Sequence, residues 1–334
     1  MRAAAALLLA VLLSAAPAAG QQSHLIVVSG LSGEPKYADA FYDWATTLID
    51  AARERWGVPE ANIVYLAEKT ERDPGRISGR STRENVERAV RDVAVRAKAD
   101  DQVFIVLIGH GSTRDDQSRF NLPGPDMSAA DFADLLDAFP TQTICFVNAA
   151  SASGEFIPAL SGENRAVITA TKTRYERNET IFAAFFVEAY AGEGADVDKD
   201  QRVSALEAFN YARREVARAY EADGKLLTEH AVLDDDGDGE GTSEPDPQSM
   251  SEGRLAMTLF LTGQTASLLA GEAPSDPRLA ALYGERQRLE QQVVELRRRK
   301  DEMDPGIYER QLEDLLVELA LKTREIRALE EKEQ

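Results

Sequence analysis

The sequence predicts an α/β protein built on a parallel β-sheet with helices on both faces, followed by acidic segments and a C-terminal helical hairpin. Three observations carry this. Strand-like apolar runs alternate with segments of helical spacing from residue 24 to residue 192. Those runs are continuous rather than alternating, as in parallel strands buried on both sides. After Gly194 the composition turns Asp-rich, and beyond Asp276 it changes again to a heptad pattern.

The elements follow in order. HLIVVSG (24–30) reads as a short buried strand ending in glycine, and FYDWATTLIDAARERWG (41–57) has helical apolar spacing that stops at Gly57. NIVYLAE (62–68) is a second strand. Ser81 or Thr82 can cap the amphipathic helix RENVERAVRDVAVRA. The strand 103–108 runs straight into Gly109-His110-Gly111-Ser112. Ser128 caps SAADFADLLDAF, and QTICFVNA is the next two-sided strand. AVITAT (166–171) is a fifth strand, and ERNETIFAAFFVEAYAG a helix. Its Asn178-Glu179-Thr180 is formally a glycosylation sequon, read here as a cap at the helix start.

The chain opens with Arg2, an unbroken Ala/Leu/Val run and small residues at Ala16, Ala18, Ala19 and Gly20. This is the pattern of a secretory signal peptide over 1–20, too short in its apolar run to span a bilayer. The expectation is an exported protein, periplasmic or extracellular, with no membrane span in its mature form. Removing the leader leaves about 310 of the 334 residues, one large domain (23–265) and a smaller one (276–334). A net charge of −20 argues against nucleic acid and anionic membranes and is compatible with cations. Cys145 is the only cysteine, so no internal disulfide forms, and its apolar strand makes it a core thiol.

In the smaller domain, Leu282, Leu289, Val293, Leu296 and Met303 fall on heptad positions. Asp304-Pro305-Gly306 breaks the pattern, and Tyr308, Leu312, Leu315, Leu319, Ile326 and Leu329 resume it. Two heptad runs around one turn read as an antiparallel coiled-coil hairpin. The same seam could instead join a protein partner or a second copy as a homodimer.

Ligands of open parallel sheets bind beyond the carboxyl ends of the strands. Two motifs lie at such ends: Gly109-His110-Gly111-Ser112, and Asn148-Ala149-Ala150-Ser151-Ala152-Ser153-Gly154. One predicted helix separates them. A crossover of that length makes the two strands neighbours about 4.8 Å apart, bringing the His110 imidazole near the Ser151 hydroxyl. Flanking glycines let backbone N–H groups approach a ligand, as an oxyanion hole needs.

At these residues the chain resembles the caspase/legumain-like cysteine peptidases, most of all the legumain-like (C13, clan CD) branch. That family carries its histidine in an apolar-strand–His–Gly motif, matched here by FIVLIGHGS, and its nucleophile in Ala-Cys-x-Ser-Gly, matched by Ala150-Ser151-Ala152-Ser153-Gly154. The resemblance covers roughly 24–190 and implies a caspase-like parallel sheet sandwiched by helices. It implies that Ser151 would attack a peptide carbonyl, His110 would shuttle the proton, and the Gly111 and Ser151 N–H groups would hold the oxyanion. Two departures count against carrying this over. Serine stands where the family has cysteine, and a hydroxyl is far less acidic than a thiol. Ala149 stands where legumain-like members place a specificity glutamate.

Plainer readings stay open. His110 could satisfy backbone groups at a strand end, and Ser151 could be a helix N-cap. His24 carries no motif, and His230 is ambiguous.

The segment 196–207 follows the EF-hand-like calcium loop: Asp196, Asp198 and Asp200 at positions 1, 3 and 5, the Arg202 carbonyl at 7, Ser204 at 9 and Glu207 at 12. Gln201 replaces the usual glycine at position 6. The plain alternative is an acidic helix N-terminus favoured by the dipole. A second, incomplete loop over 234–246 offers Asp234, Asp236 and Asp238, with Glu244 or Asp246 as contributors. Calcium is the expected ion. The functional expectation is a degenerate peptidase homologue that binds peptide or protein ligands; the alternative is an active endopeptidase or serine-type hydrolase using His110 and Ser151.

Overall fold

The computed structural model describes residues 21–247, 252–263 and 303–333, with scattered positions between 278 and 296. The expected signal peptide, 1–20, and most of the expected first hairpin arm lie outside the described residues. A seven-stranded sheet runs β10-β9-β8-β4-β1-β2-β3. Its strands are β1 Ser23–Ser29, β2 Ile63–Ala67, β3 Gly79–Arg80, β4 Gln102–Ile108, β8 Thr143–Asn148, β9 Arg165–Thr169 and β10 Val232–Asp234. All neighbours pair in parallel except β10, which lies antiparallel on β9.

Every residue of β1 and β4 is buried, and the reason is visible in the side-chain split. Leu25, Val27, Phe104, Val106, Cys145 and Val147 fall in one core cluster. Ile26, Val28, Val103, Ile105, Ile144 and Phe146 fall in the other. Successive side chains point to opposite faces, so a strand covered on both faces must be apolar throughout. Helices α1 (Pro35–Asp50), α5 (Phe182–Ala191) and α6 (Ala205–Ala222) supply the first layer. Helices α2 (Arg83–Arg96), α3 (Ala129–Leu136) and α4 (Phe156–Leu160) supply the second.

The chain steps from β1 outward to β2 and β3, then returns to place β4 on the other side of β1. The gap beyond Ser29 and Ile108 is therefore a topological switch point, where such sheets open a crevice. Gly30 and Gly109 meet there. A Cβ on Gly109 would lie 3.2 Å from the Gly30 Cα and 3.0 Å from the Phe120 ring.

Several local expectations change. Helix α1 starts earlier, at Pro35, and ends in a π-helical turn over Ala51–Arg55. Thr82 is the N-cap of α2 but its side chain makes no capping bond, and the buried Ser81 hydroxyl has no hydrogen-bond partner among the described residues. Ser128 does cap α3, in a reciprocal box with Asp131. The Asn178-Glu179-Thr180 segment is not a cap: α5 begins at Phe182 after Ile181, and the Thr180 hydroxyl donates to the Ala149 carbonyl at 2.8 Å. A second sheet, β5-β6-β7 (Gly111–Arg114, Gln117–Phe120, Met127–Ser128), lies between β4 and α3, where the sequence predicts no element.

The long helix α7 (Pro305–Glu333) forms one hairpin arm. Ile326 packs against Leu282, and Lys322 pairs with Glu285 at 2.9 Å. These contacts step in opposite directions along the two arms, which are therefore antiparallel. Among the described residues no helix is long and apolar enough to cross a membrane.

Candidate functional site

Strands β4 and β8 are immediate neighbours in parallel register, Leu107 opposite Asn148. The chain leaves β8 in a tight turn whose atoms are nearly all tied down. The Ala149 N–H donates to the Leu107 carbonyl at 3.0 Å and the Ala150 N–H to Asn148 Oδ1 at 3.1 Å. Ala152 takes φ of 53°, in the left-handed region, and donates to the Glu176 carbonyl at 2.7 Å. Its cost there is about 1–2 kcal/mol for an L-residue. Ser153 bonds Thr171 through both its N–H and its hydroxyl, at 2.8 and 3.0 Å. A Cβ at Gly154 would fall 2.2 Å from the Lys172 carbonyl oxygen, so only glycine fits. The Ala-Ser-Ala-Ser-Gly run is thus locked to the segment that follows β9.

Ser151 is buried, 4% exposed, within this turn. Its hydroxyl donates to the Gly111 carbonyl at 3.3 Å and lies 3.4 Å from the Gly111 N–H. The backbones are so close that a Cβ on Gly111 would stand 1.9 Å from the Ser151 carbonyl oxygen. Ser151 is not a helix cap, because α4 starts at Phe156 with Glu155 as its N-cap.

His110 is half-buried at the switch point. The ring meets Tyr37 edge-on with centroids 4.5 Å apart, and Phe41 at 5.1 Å. Burial pushes its pKa below the ordinary value, against a hydrogen bond to the Ser32 backbone and the fields of Glu179 and Glu34. The imidazole is therefore held neutral near pH 7. Glu179 reaches this group indirectly, accepting from the Tyr37 hydroxyl at 2.6 Å. The fold brings His110, Gly111 and Ser151 to one end of two adjacent strands, yet no hydrogen bond joins the imidazole to the hydroxyl. The serine bonds to Gly111, and the histidine ring packs against Tyr37 and Phe41.

The other candidates separate cleanly. Cys145 is fully buried and its thiol is pushed well up by desolvation, which removes it as a nucleophile. His24 lies at the amino end of the sheet, 3.1 Å from the buried Asp101 carboxylate. His230 donates its backbone N–H to Glu176 Oε2 at 3.1 Å and its ring lies 3.3 Å from Oε1. Beside it stands Glu229, which sequence reading missed. Both of its oxygens accept from the Ile181 N–H at the start of α5, and burial raises its pKa to about 7. One glutamate before a three-residue strand carries no sequence signal of that role.

The two acidic loops share one backbone form. Lys199 and Gln201, at positions 4 and 6 of the first, have φ of 58° and 66°; Gly237 and Gly239, at the same positions of the second, have 86° and 80°. The position-1 carboxylate accepts from the position-6 N–H in both, Asp196 from Gln201 and Asp234 from Gly239. In the first loop Asp196, Asp198 and Glu207 can present ligand atoms within 4.8 Å of one another. Asp200 is not in that group, since its carboxylate pairs with the Arg202 guanidinium at 2.7 Å. Ser204 and Glu207 also form a reciprocal capping box for α6, so the helix-start reading holds alongside any ion binding. In the second loop Asp234, Asp236 and Asp238 converge with Glu252, not with Glu244 or Asp246. Glu244 instead approaches Arg213 at 3.8 Å. Glu252 is 4% exposed and accepts from the Asp235 N–H at 2.6 Å; burial raises its pKa to about 9. It stands too far along the chain for loop spacing to have shown it. Asp198 is pushed up to about 6, by burial first and then by Asp200. Like charges crowded out of water in this way are what a divalent cation relieves, and the all-oxygen donor set suits calcium.

No family profile matches the chain, and no curated protein matches it. Among solved structures it is similar to a protein of Geobacter sulfurreducens at 12% identity and a TM-score of 0.43, over 71% of this chain and 99% of that one. It is similar to caspase-1 of Spodoptera frugiperda at 10% identity and a TM-score of 0.43, over 64% of this chain and 88% of that one.

Proposed function

We propose that this is an exported, catalytically degenerate relative of the caspase/legumain-like peptidases, which holds a peptide or protein ligand at the carboxyl end of its sheet. The observation that carries the reading is the hydroxyl of Ser151. A serine nucleophile needs a base aligned on its proton and a third group behind that base. Here the proton goes to the Gly111 carbonyl, and the imidazole is turned to Tyr37, Phe41 and the Ser32 backbone. The wild-type protein assayed on a broad peptide library tests this: it should stay inert, and cleavage by it that is lost in Ser151→Ala would overturn degeneracy.

A second reading, an active serine-type hydrolase, draws on His110 being neutral, the form a general base requires. Reaction with a fluorophosphonate serine probe separates the two. The acidic loops we assign to structural calcium, held by Asp196, Asp198 and Glu207 and by Asp234, Asp236, Asp238 and Glu252. Calcium here would cross-link the segments around β10 and α6 rather than take part in any reaction. The leader composition supports export, and the hairpin's heptad seam supports a role in joining a partner or a second copy.

A further inference from the structure

Helix α7 carries two stripes of heptad spacing, and the hairpin uses only one. Tyr308 and Ile326 are buried on the inner stripe, and Ile326 closes on Leu282 of the first arm. On the opposite side lie Ile307, Arg310, Asp314, Val317, Leu321 and Arg324, all exposed. They recur at steps of three and four residues, which keeps them on one face of a helix. Val317 and Leu321 are 53% and 52% exposed, so the middle of this outer stripe is apolar and faces water. Among the described residues, Arg310, Asp314 and Arg324 have no ion-pair partner.

The order of residues along the stripe selects what can cover it. Two copies of α7 could meet there in either direction. In a parallel pair each residue faces its own copy, so Arg310, Asp314 and Arg324 would each meet a like charge. In an antiparallel pair the three-residue steps of one helix run against those of the other. With a two-fold axis at the level of Leu319, Val317 then faces Leu321 and Asp314 faces Arg324, each twice. A slip of one heptad puts Asp314 on Val317, or Arg324 on Leu321. Of these registers only the first matches apolar with apolar and acid with base. It is also self-complementary, as a two-fold contact must be.

Resting on the reading that the hairpin joins a second copy, we infer that α7 pairs antiparallel with α7 of a second chain through this outer stripe. The inner seam stays closed within each chain. Two apolar pairs and two exposed ion pairs hold the contact, so the dimer is concentration-dependent rather than permanent.

The test is sedimentation velocity of the full chain from about 1 to 500 μM, which should show monomer passing to dimer. Leu321→Glu sets a carboxylate in each apolar pair and should weaken the dimer roughly tenfold or more, with the far-UV circular dichroism unchanged. Asp314→Arg and Arg324→Asp should each weaken it about fivefold, and the two together in one chain should restore it. That rescue belongs to the antiparallel register, because in a parallel pair these changes exchange one like-charge contact for another. Glu318, exposed beside Val317, comes close to its own copy across the axis, so Glu318→Gln should tighten the dimer about twofold. A monomer at every concentration would overturn self-association and leave the stripe to a partner of different sequence. A dimer indifferent to Leu321→Glu and to the charge exchange would overturn the outer stripe alone, and the reading that the hairpin joins copies would stand.

Discussion

On the proposal that the two acidic loops hold calcium, chelation should lower the melting temperature, and the second loop should contribute more than the first. An ion bound to the native state at a hundredfold excess over its Kd contributes about 2.7 kcal/mol. For a domain of this size each kcal/mol moves the midpoint by roughly 2–4 °C, so one saturated site is worth about 5–10 °C. The loops are not equal. The second has glycine at both left-handed positions, whereas the first places Lys199 and Gln201 there. Each of those costs about 1–2 kcal/mol, or roughly five- to thirtyfold in affinity if relieved when the ion leaves. The second loop also brings four carboxylates to the first loop's three. Differential scanning calorimetry with excess calcium and then with excess EDTA should show a drop of about 5–10 °C. Glu252→Gln should remove most of that drop and Glu207→Gln less. Equal midpoints with calcium and chelator would refute a structural ion. Equal losses in the two variants would refute the ranking.

Other expectations follow from single contacts. Gly111→Ala puts a Cβ 1.9 Å from the Ser151 carbonyl, so the β5–Ser151 junction must move; destabilisation of about 1–3 kcal/mol in urea titrations is expected, the usual cost of overpacking. Ala152→Gly relieves a left-handed alanine and should stabilise by about 0.5–1 kcal/mol, less if the turn rearranges. Ser128→Ala breaks the α3 capping box at a cost of about 1 kcal/mol. Glu229 titrates at about 7 in the fold against 4.5 unfolded, so the native state resists ionising it. No penalty exists below about pH 4.5; it grows as pH rises toward 7 and is constant above. Glu229→Gln should therefore gain on wild type across that window, by at most about 3 kcal/mol, in melting curves taken from pH 4 to 8.

The parallel sheet was legible because its strands are apolar on both faces: β1, β4 and β8 announce themselves through runs such as LIVV and FIVLI. Their neighbour relation followed from crossover length. The carboxyl-end placement of His110 and Ser151 followed from the same rule. What escaped was set by contacts distant in sequence. The β5–β6 hairpin is polar, and its turn is Asp-Asp rather than a glycine pair. Strand β10 has three residues and is defined by pairing with β9. Glu252 and Glu229 act through burial beside partners that no spacing connects to them. The orientation of the His110 ring, turned toward Tyr37 and Phe41, depends on α1 packing against the switch point.

Fluorophosphonate labelling of the folded protein, read by mass spectrometry at Ser151, is the most direct test of the account. With its proton committed to a main-chain oxygen and no imidazole aligned on it, the hydroxyl should remain unmodified at neutral pH. Stoichiometric adduct at that side chain, lost when His110 is changed to alanine, would contradict the account and place a working hydrolase at this end of the sheet.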